Sequence, residues 1–421
     1  MLYQLKKRFP SGSFARNVLT LMTGTTIAQA IPIAISPILT RLYTPDDFGI
    51  FALYMAIASI LSVIATGRYE LAIILPETDE DAANIAILAI ILTFCISFIM
   101  LFFMFIFNSE ITELLGHQEI SPWLYFVPLT VLLTGIYQVF YYWANRKKHY
   151  REIGKNKVLR STTTSVTQIG FSFGNSFGLI AGMIAGQSIA TVRLGSCLKN
   201  DIIKNQFMIN RSLIYKVASR FSKFPKYLIV AHTFNTASAQ MPVIMLSSLF
   251  STTVSGFYAL TYRVISLPMS IIGGAIGDVF RQRAADDFVK NGHCQEIYIK
   301  TLKHLTAIAI LPSVLFFFIA PDLFALFFSE NWRIAGEYAR LMTIAFFFQF
   351  ITSPLSSMFM IAEKQELDLV WQIFRLLFAI LSILLGYIYF SDANIAILFF
   401  SISFSLLYFI SAVMTYRFSC G

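Results

Sequence analysis

NVLTLMTGTTIAQAIPIAISPILTRLYTPDDFGIFALY, residues Asn17 to Tyr54, is a long apolar segment, a tight charged turn and a second apolar segment. A weaker copy, YLIVAHTFNTASAQMPVIMLSSLFSTTVSGFYALTY, runs from Tyr227 to Tyr262. Each copy holds a central proline, Pro32 or Pro242. Each closes on a glycine, one further residue, an aromatic residue and Ala-Leu, in Gly49 to Leu53 and in Gly256 to Leu260. Two copies of one unit follow as the organising expectation, with residues 1–205 and 206–421 as an N-terminal and a C-terminal six-helix bundle.

The composition names the solvent. Of 421 residues, 57% are hydrophobic and 13% charged, against about 25% charged in soluble globular chains. So much apolar surface cannot be hidden behind so thin a charged shell, and lipid must cover it. A helix needs about 20 apolar residues to cross a hydrocarbon core. Hydrophobic stretches predict twelve crossings, at 17–39, 48–66, 83–107, 122–143, 158–173, 177–196, 226–248, 254–276, 300–320, 335–360, 369–389 and 394–416. No alternating pattern of membrane strands is present, so the fold class is an all-α multi-pass membrane protein of about 12 transmembrane helices. The polar run STTTSVTQ, Ser161 to Gln168, makes the fifth and sixth crossings the least secure pair. The N-terminal Lys6, Lys7, Arg8 patch is not read as a signal peptide, because the apolar run after Asn17 is too long and lacks a cleavage site.

Basic residues collect on cytoplasmic loops. Arg146, Lys147, Lys148, Arg151, Lys155, Lys157 and Arg160 fall in one predicted loop, and further sets lie in 193–226 and 281–303. With Arg16, Arg68, Lys364, Arg417 and the N-terminal patch they place both termini on the cytoplasmic side. The acidic 108–120 turn lies outside. The net charge of +9 then reflects loops beside anionic lipid, and no nucleic-acid partner is required. Trp123, Trp143, Trp332 and Trp371 fall at crossing ends, where an aromatic belt is expected. Cys95, Cys197, Cys294 and Cys420 are scattered without metal-ligand or redox spacing and read as small apolar filler.

Along the first crossing Thr26, Gln29, Ser36 and Thr40 share a helical face. That stripe is either a packing face or one wall of a water-filled cavity. The seventh crossing repeats it with His232, Asn235, Thr236, Ser238 and Gln240. Pro32 and Pro37 are expected to kink the first helix, and Asp46 and Asp47 to cap the second. The acids Glu77, Asp79, Glu80 and Asp81 precede the third crossing as dipole compensation, with a role in gating as the alternative. GLIAGMIAG, Gly178 to Gly186, spaces glycines by four as a helix-packing face does. An amphipathic interfacial helix is expected within 197–225. Arg263 sits well inside a crossing, which marks it as a functional candidate; the repeat puts Ala56 opposite it. Arg333, Glu337 and Arg340 have ion-pair spacing, for structure or for handling a ligand. Arg375, about two turns into the eleventh crossing, either snorkels or faces a cavity. Arg68 and Glu70 lie two apart at the inner mouth of the second crossing. No phosphate-binding loop, zinc motif or cluster of carboxylates and histidines is present, so neither an enzyme nor a cofactor is expected.

The opening stretch resembles the start of bacterial polysaccharide-unit flippases of the Wzx type, in the multidrug/oligosaccharidyl-lipid/polysaccharide exporter superfamily. RYELAIILPETDEDAAN, YYWANRKKHYREIGKNKVLRS, GFYALTYRVISLP and WRIAGEYARL are similar in the same order, across both halves. The resemblance implies two pseudo-symmetric six-helix bundles around a central cavity. It also implies a substrate in which an oligosaccharide is carried on a polyprenyl diphosphate for O-antigen or surface polysaccharide biosynthesis. Related lipid flippases hold the diphosphate with cavity arginines, and Arg41 and Arg263 match those positions. Arg68, Arg375, Gln29 and Asn235 complete the expected substrate-binding set. Polysaccharide polymerase or chain-length machinery is the partner to expect beside the bilayer and the lipid-linked oligosaccharide. Twelve crossings disfavour the peptidoglycan precursor, whose exporters usually have fourteen. The rival readings are a drug or cation exporter, which calls for intramembrane carboxylates, a membrane transferase, and a component of polysaccharide assembly that does not itself transport.

Overall fold

The computed structural model describes residues 14–205 and 209–421. Twelve long helices stand where twelve crossings are predicted: α1 (Phe14–Leu42), α2 (Pro45–Ser62), α3 (Asp79–Ile106), α4 (Val127–Arg146), α5 (Tyr150–Gly170) and α6 (Ser176–Asn205). Then come α7 (Ile229–Leu249), α8 (Thr252–Pro268), α9 (Gln295–Phe328), α10 (Arg333–Thr352), α11 (Gln365–Phe390) and α12 (Ala393–Ser419). A π-helical turn, Met269–Gly273, carries α8 on into Gly274–Asn291. Among the described residues nine helices are long and apolar enough to cross a membrane. The count is ten if Gln118–Leu124 and α4, bent by 46° to each other, form one span. The composition of α5 and α7 falls short.

The chain divides into two compact units, Met1–Thr236 and Ala237–Gly421, with the division inside α7. Helix contacts repeat between the halves: α2 on α4, α3 on α4, α4 on α6 and α5 on α6 have the counterparts α8 on α10, α9 on α10, α10 on α12 and α11 on α12. In the first unit α1 also lies along α5; in the second, among the described residues, the remainder of α7 and α11 form no comparable seam.

Local chemistry explains the first hairpin. Thr44, not Asp46 or Asp47, is the N-cap of α2. Its hydroxyl accepts from the Asp47 N–H at 3.2 Å, and the Asp47 carboxylate accepts from the Thr44 N–H at 2.9 Å, a reciprocal capping box after which Pro45 starts the helix. Proline has no N–H, so Pro32 leaves the carbonyl of Ala28 without its helical donor. The Ser161 hydroxyl of α5 donates to that carbonyl at 2.7 Å. A polar residue in a predicted crossing is thereby explained, since backbone groups in lipid must be satisfied within the protein.

The rest of α5 follows the same logic. Asn156 donates to Ala190 O at 2.9 Å and Gln168 to Leu179 O at 3.1 Å, both on α6. The glycine stripe is a packing face, as its spacing implies. A Cβ on Gly182 would come within 2.8 Å of Thr164 O, and one on Gly186 within 2.8 Å of Arg160 O. On the other side of α5, a Cβ on Gly24 would lie 2.6 Å from the Gly154 Cα. α5 is thus clamped between α1 and α6 by glycines on both sides.

Some expectations need correcting. The stretch read as the loop 145–160 becomes helical from Tyr150 onward, so Lys155, Lys157 and Arg160 are helix residues. Trp143 and Trp332 are fully buried and Trp371 nearly so. They pack into the bundles rather than form a belt; the Trp143 indole donates to Asp201 at 2.9 Å. Asp79 does more than face a helix dipole: it pairs with Arg146 at 2.8 Å and Lys147 at 2.5 Å, tying α3 to α4. Arg333 pairs with Asp322 and Glu330, at 2.7 and 2.5 Å, and not with Glu337, because the helix start places it beside the preceding turn. The amphipathic helix within 197–225 is Arg211–Arg220, N-capped by Asn210. It joins a core of Val217, Phe221, Trp143 and the first turns of α3.

Candidate functional site

In the first unit the stripe on α1 splits in two. Ser36 and Thr40 are buried and donate to their own helix, at Pro32 O (2.7 Å) and Pro37 O (3.2 Å). They are packing residues. Thr26 is exposed and Gln29 half-buried. Arg41 is exposed and donates to Pro37 O at 2.6 Å. It lies twelve residues beyond Gln29, about 18 Å along the helix, so one phosphate group cannot touch both.

Arg68 follows Gly67, and both adopt left-handed backbone with φ 61°. That turn brings its guanidinium to Glu70 at 3.2 Å. Glu70 is fully buried and also accepts from the Thr66 hydroxyl. Burial pushes the Glu70 carboxyl above its ordinary range, and the Thr66 bond and the Arg68 charge only partly oppose this. Among the described residues Arg68 keeps a buried Nε without a partner, and its charge is felt at His232. Asn235, further along α7, is exposed.

α5 contributes a cluster that sequence reasoning assigned to a solvated loop. The Lys157 ammonium donates to the Thr25 hydroxyl at 3.1 Å and lies 5.5 Å from the Tyr141 ring centre. One turn on, the Arg160 guanidinium lies 5.5 Å from the Tyr137 ring centre. The legible signal was the spacing of three in KNKVLR, hidden by the basic run before it.

In the second unit Arg263 is half-buried on α8. Among the described residues its guanidinium has no hydrogen-bond or ion-pair partner. The next residue, Val264, with Pro268, Ile308, Pro312, Phe346 and Phe350, helps to line an almost wholly apolar crevice of about 310 Å³. Tyr258 and Tyr262, five residues and one residue before Arg263, face elsewhere, onto a small cavity with Arg375, Gln349, Ser238 and Tyr408. That cavity measures about 30 Å³, room for a water or two. Arg375 stands over the rings of Phe404 and Tyr408 at 5.8 and 5.9 Å and donates to Gln372 at 3.0 Å. Among the described residues its Nε and the Ser238 hydroxyl are buried without partners. Arg375 therefore faces a cavity and does not snorkel.

The expected set is thus divided. Gln29, Arg41, Arg68 and Asn235 belong to the first unit, Arg263 and Arg375 to the second. Among the described residues Arg263 and Arg375 lack a carboxylate partner, whereas Arg68 has one. No group of His, Cys, Asp and Glu among the described residues could hold a metal ion.

Comparison with known proteins follows this geometry. A family model described as "Polysaccharide biosynthesis protein" matches residues 38–337. No curated protein matches the sequence. The lipid II flippase MurJ, in an inward closed conformation, is similar in structure with TM-score 0.72 and 12% identity, covering 95% of this chain and 89% of that one. An inward-facing multidrug resistance MATE family transporter of the MOP superfamily aligns with TM-score 0.67 and 14% identity, over 95% and 94% of the two chains. The MATE multidrug transporter DinF-BH aligns with TM-score 0.65 and 13% identity over the same shares. At these identities the likeness establishes the fold.

Proposed function

Because this multi-pass membrane protein belongs to the polysaccharide biosynthesis protein family, we propose that it flips polyprenyl-diphosphate-linked oligosaccharide repeat units from the inner to the outer leaflet. The membrane is a bacterial plasma membrane with both termini cytoplasmic, and the route is alternating access. One observation carries the reading: Arg263, half-buried in a membrane-spanning helix, has no carboxylate or other partner among the described residues. An uncompensated intramembrane cation is costly and calls for an anion. A diphosphate bears about two negative charges and cannot cross hydrocarbon unaided. The guanidinium fork grips phosphate oxygens in pairs and keeps its charge when buried. Arg263 and Arg41 hold the diphosphate in turn; Gln29 and Asn235 meet sugar hydroxyls; Arg375 and Arg68 rank second, Arg68 because Glu70 already engages it. The apolar crevice lined by Val264 and Pro268 of the same stretch suits the first part of a prenyl chain, with the remainder in lipid.

The test is flipping of a fluorescent polyprenyl-diphosphate sugar in proteoliposomes. Arg263→Ala should lower the rate at least tenfold, and Arg263→Lys should recover part of it. Wild-type flipping by both variants would remove Arg263 from the mechanism. The same fold serves multidrug transporters. Export of a cationic dye, with no flipping of the lipid-linked sugar, would replace this reading by that of a drug exporter.

A further inference from the structure

We infer that Lys157 and Arg160 of α5, with Thr25, Tyr137 and Tyr141, form a diphosphate-binding station within the first unit, separate from Arg263. This rests on the functional reading above and adds a second place where the lipid-linked substrate is held.

Four observations converge. First, the two cations lie three apart on one helix face, where like charges repel, and the Arg160 charge acts on Lys157. Second, neither has a carboxylate partner among the described residues, and residues 1–13 and 206–208 contain no Asp or Glu. The nearest acid on α5, Glu152, is already engaged by Lys155 at 3.0 Å and Arg193 at 3.4 Å. Third, the neutral groups around the pair are those that accompany a bound anion. They are a threonine hydroxyl 3.1 Å from the ammonium and two tyrosines, from whose ring centres the cations lie 5.5 Å. The rings offset part of the positive charge and leave the rest for a ligand. Fourth, both side chains are half-buried, withdrawn enough for charge to act strongly and open enough for a ligand to reach.

The register of the repeats supports the assignment. Arg160 is the eleventh residue of α5 and Arg375 the eleventh of α11. Each stands over an aromatic side chain of a neighbouring helix, Tyr137 of α4 or Phe404 and Tyr408 of α12. Only the first unit adds a lysine one turn before. Two cations three apart match two linked phosphates better than one, so a diphosphate is the ligand class.

The probe is farnesyl diphosphate bound to the full chain in lipid nanodiscs, read by native mass spectrometry, with farnesyl monophosphate and inorganic pyrophosphate as parallel ligands. Lys157→Met with Arg160→Met keeps stem volume and removes charge. It should weaken farnesyl diphosphate binding at least tenfold and narrow the preference over the monophosphate. The charge-keeping exchange Lys157→Arg with Arg160→Lys should retain binding, and Lys155→Met should match wild type. Wild-type binding by the double Met variant overturns the station and leaves the functional reading standing. Absence of farnesyl diphosphate binding by the wild-type protein overturns both. Equal affinity for inorganic pyrophosphate and farnesyl diphosphate would assign the cluster to a water-soluble diphosphate and overturn its place on the lipid route.

Discussion

α5 and α11 are the fifth long helices of their halves, and each carries an arginine at its eleventh residue over an aromatic ring. They are built differently around it. α5 is polar, and its Ser, Asn, Gln and Lys side chains bond to carbonyls and hydroxyls of α1 and α6. α11 is apolar and exposes Phe374, Leu377, Phe378, Leu381 and Ile388. The divergence traces to the neighbour before it. Gly24 and Gly154 let the backbones of α1 and α5 touch. With Pro242 aligned on Pro32, and α11 on α5, Phe234 and Leu369 stand at those two places in the sequence. In the second unit a cavity with Arg375 lies beside Ser238 and Pro242 of α7. Between helices in lipid, small residues and hydrogen bonds supply the attraction. The half with the glycines can therefore hold a polar helix, and the half without them leaves an arginine beside a void.

The strongest way to break this contrast is to remove the glycine contact. Gly24→Leu should cost about 3 kcal/mol or more, seen as a large fall in thermal midpoint and in folded yield. Phe234→Leu should be mild by the same measure. A fall as large for Phe234→Leu would sink the claim that the two seams differ.

Next comes the carbonyl freed by Pro32. Ser161→Ala should destabilise by about 1–3 kcal/mol, the cost of a buried acceptor left unmade. In a Pro32→Ala background the backbone N–H returns to Ala28 O, and the same substitution should cost about 1 kcal/mol less. Additive effects in that double-mutant cycle would show that Ser161 does not serve the proline gap.

A smaller effect comes from Glu70, a fully buried acid of the first unit. Its folded-state pKa is raised, so its contribution to stability is fully present below the ordinary value of 4.5 and is lost as pH rises through the raised one. Glu70→Gln should flatten the thermal midpoint across that window, mainly by gaining on wild type above it. An unchanged pH profile would mean that the carboxyl titrates normally.

Least of all should follow from Arg333→Ala. Its partners Asp322 and Glu330 are exposed, and surface pairs of this kind contribute little. Stability and flipping should both stay at wild-type levels within error.

Much of this protein is written in one dimension. Hydrophobic length and the paired motifs around Pro32 and Pro242 yield twelve helices and a twofold repeat, because a lipid solvent admits few other arrangements of so apolar a chain. The glycine spacing of GLIAGMIAG gives a packing face for the same reason. An arginine inside a crossing, such as Arg263, can be suspected from its position alone, since charge there is costly. Partnership cannot be read that way, because it depends on which helices meet. Arg68 turns out engaged by Glu70 and Arg375 turned toward a cavity. Thr44 displaces the aspartates as the cap. Lys157 and Arg160 emerge from a presumed loop as a cation pair with no acid among the described residues. Only the tertiary structure decides these points, since a hydrogen bond or ion pair is a matter of a few ångströms between residues as far apart as Ala28 and Ser161.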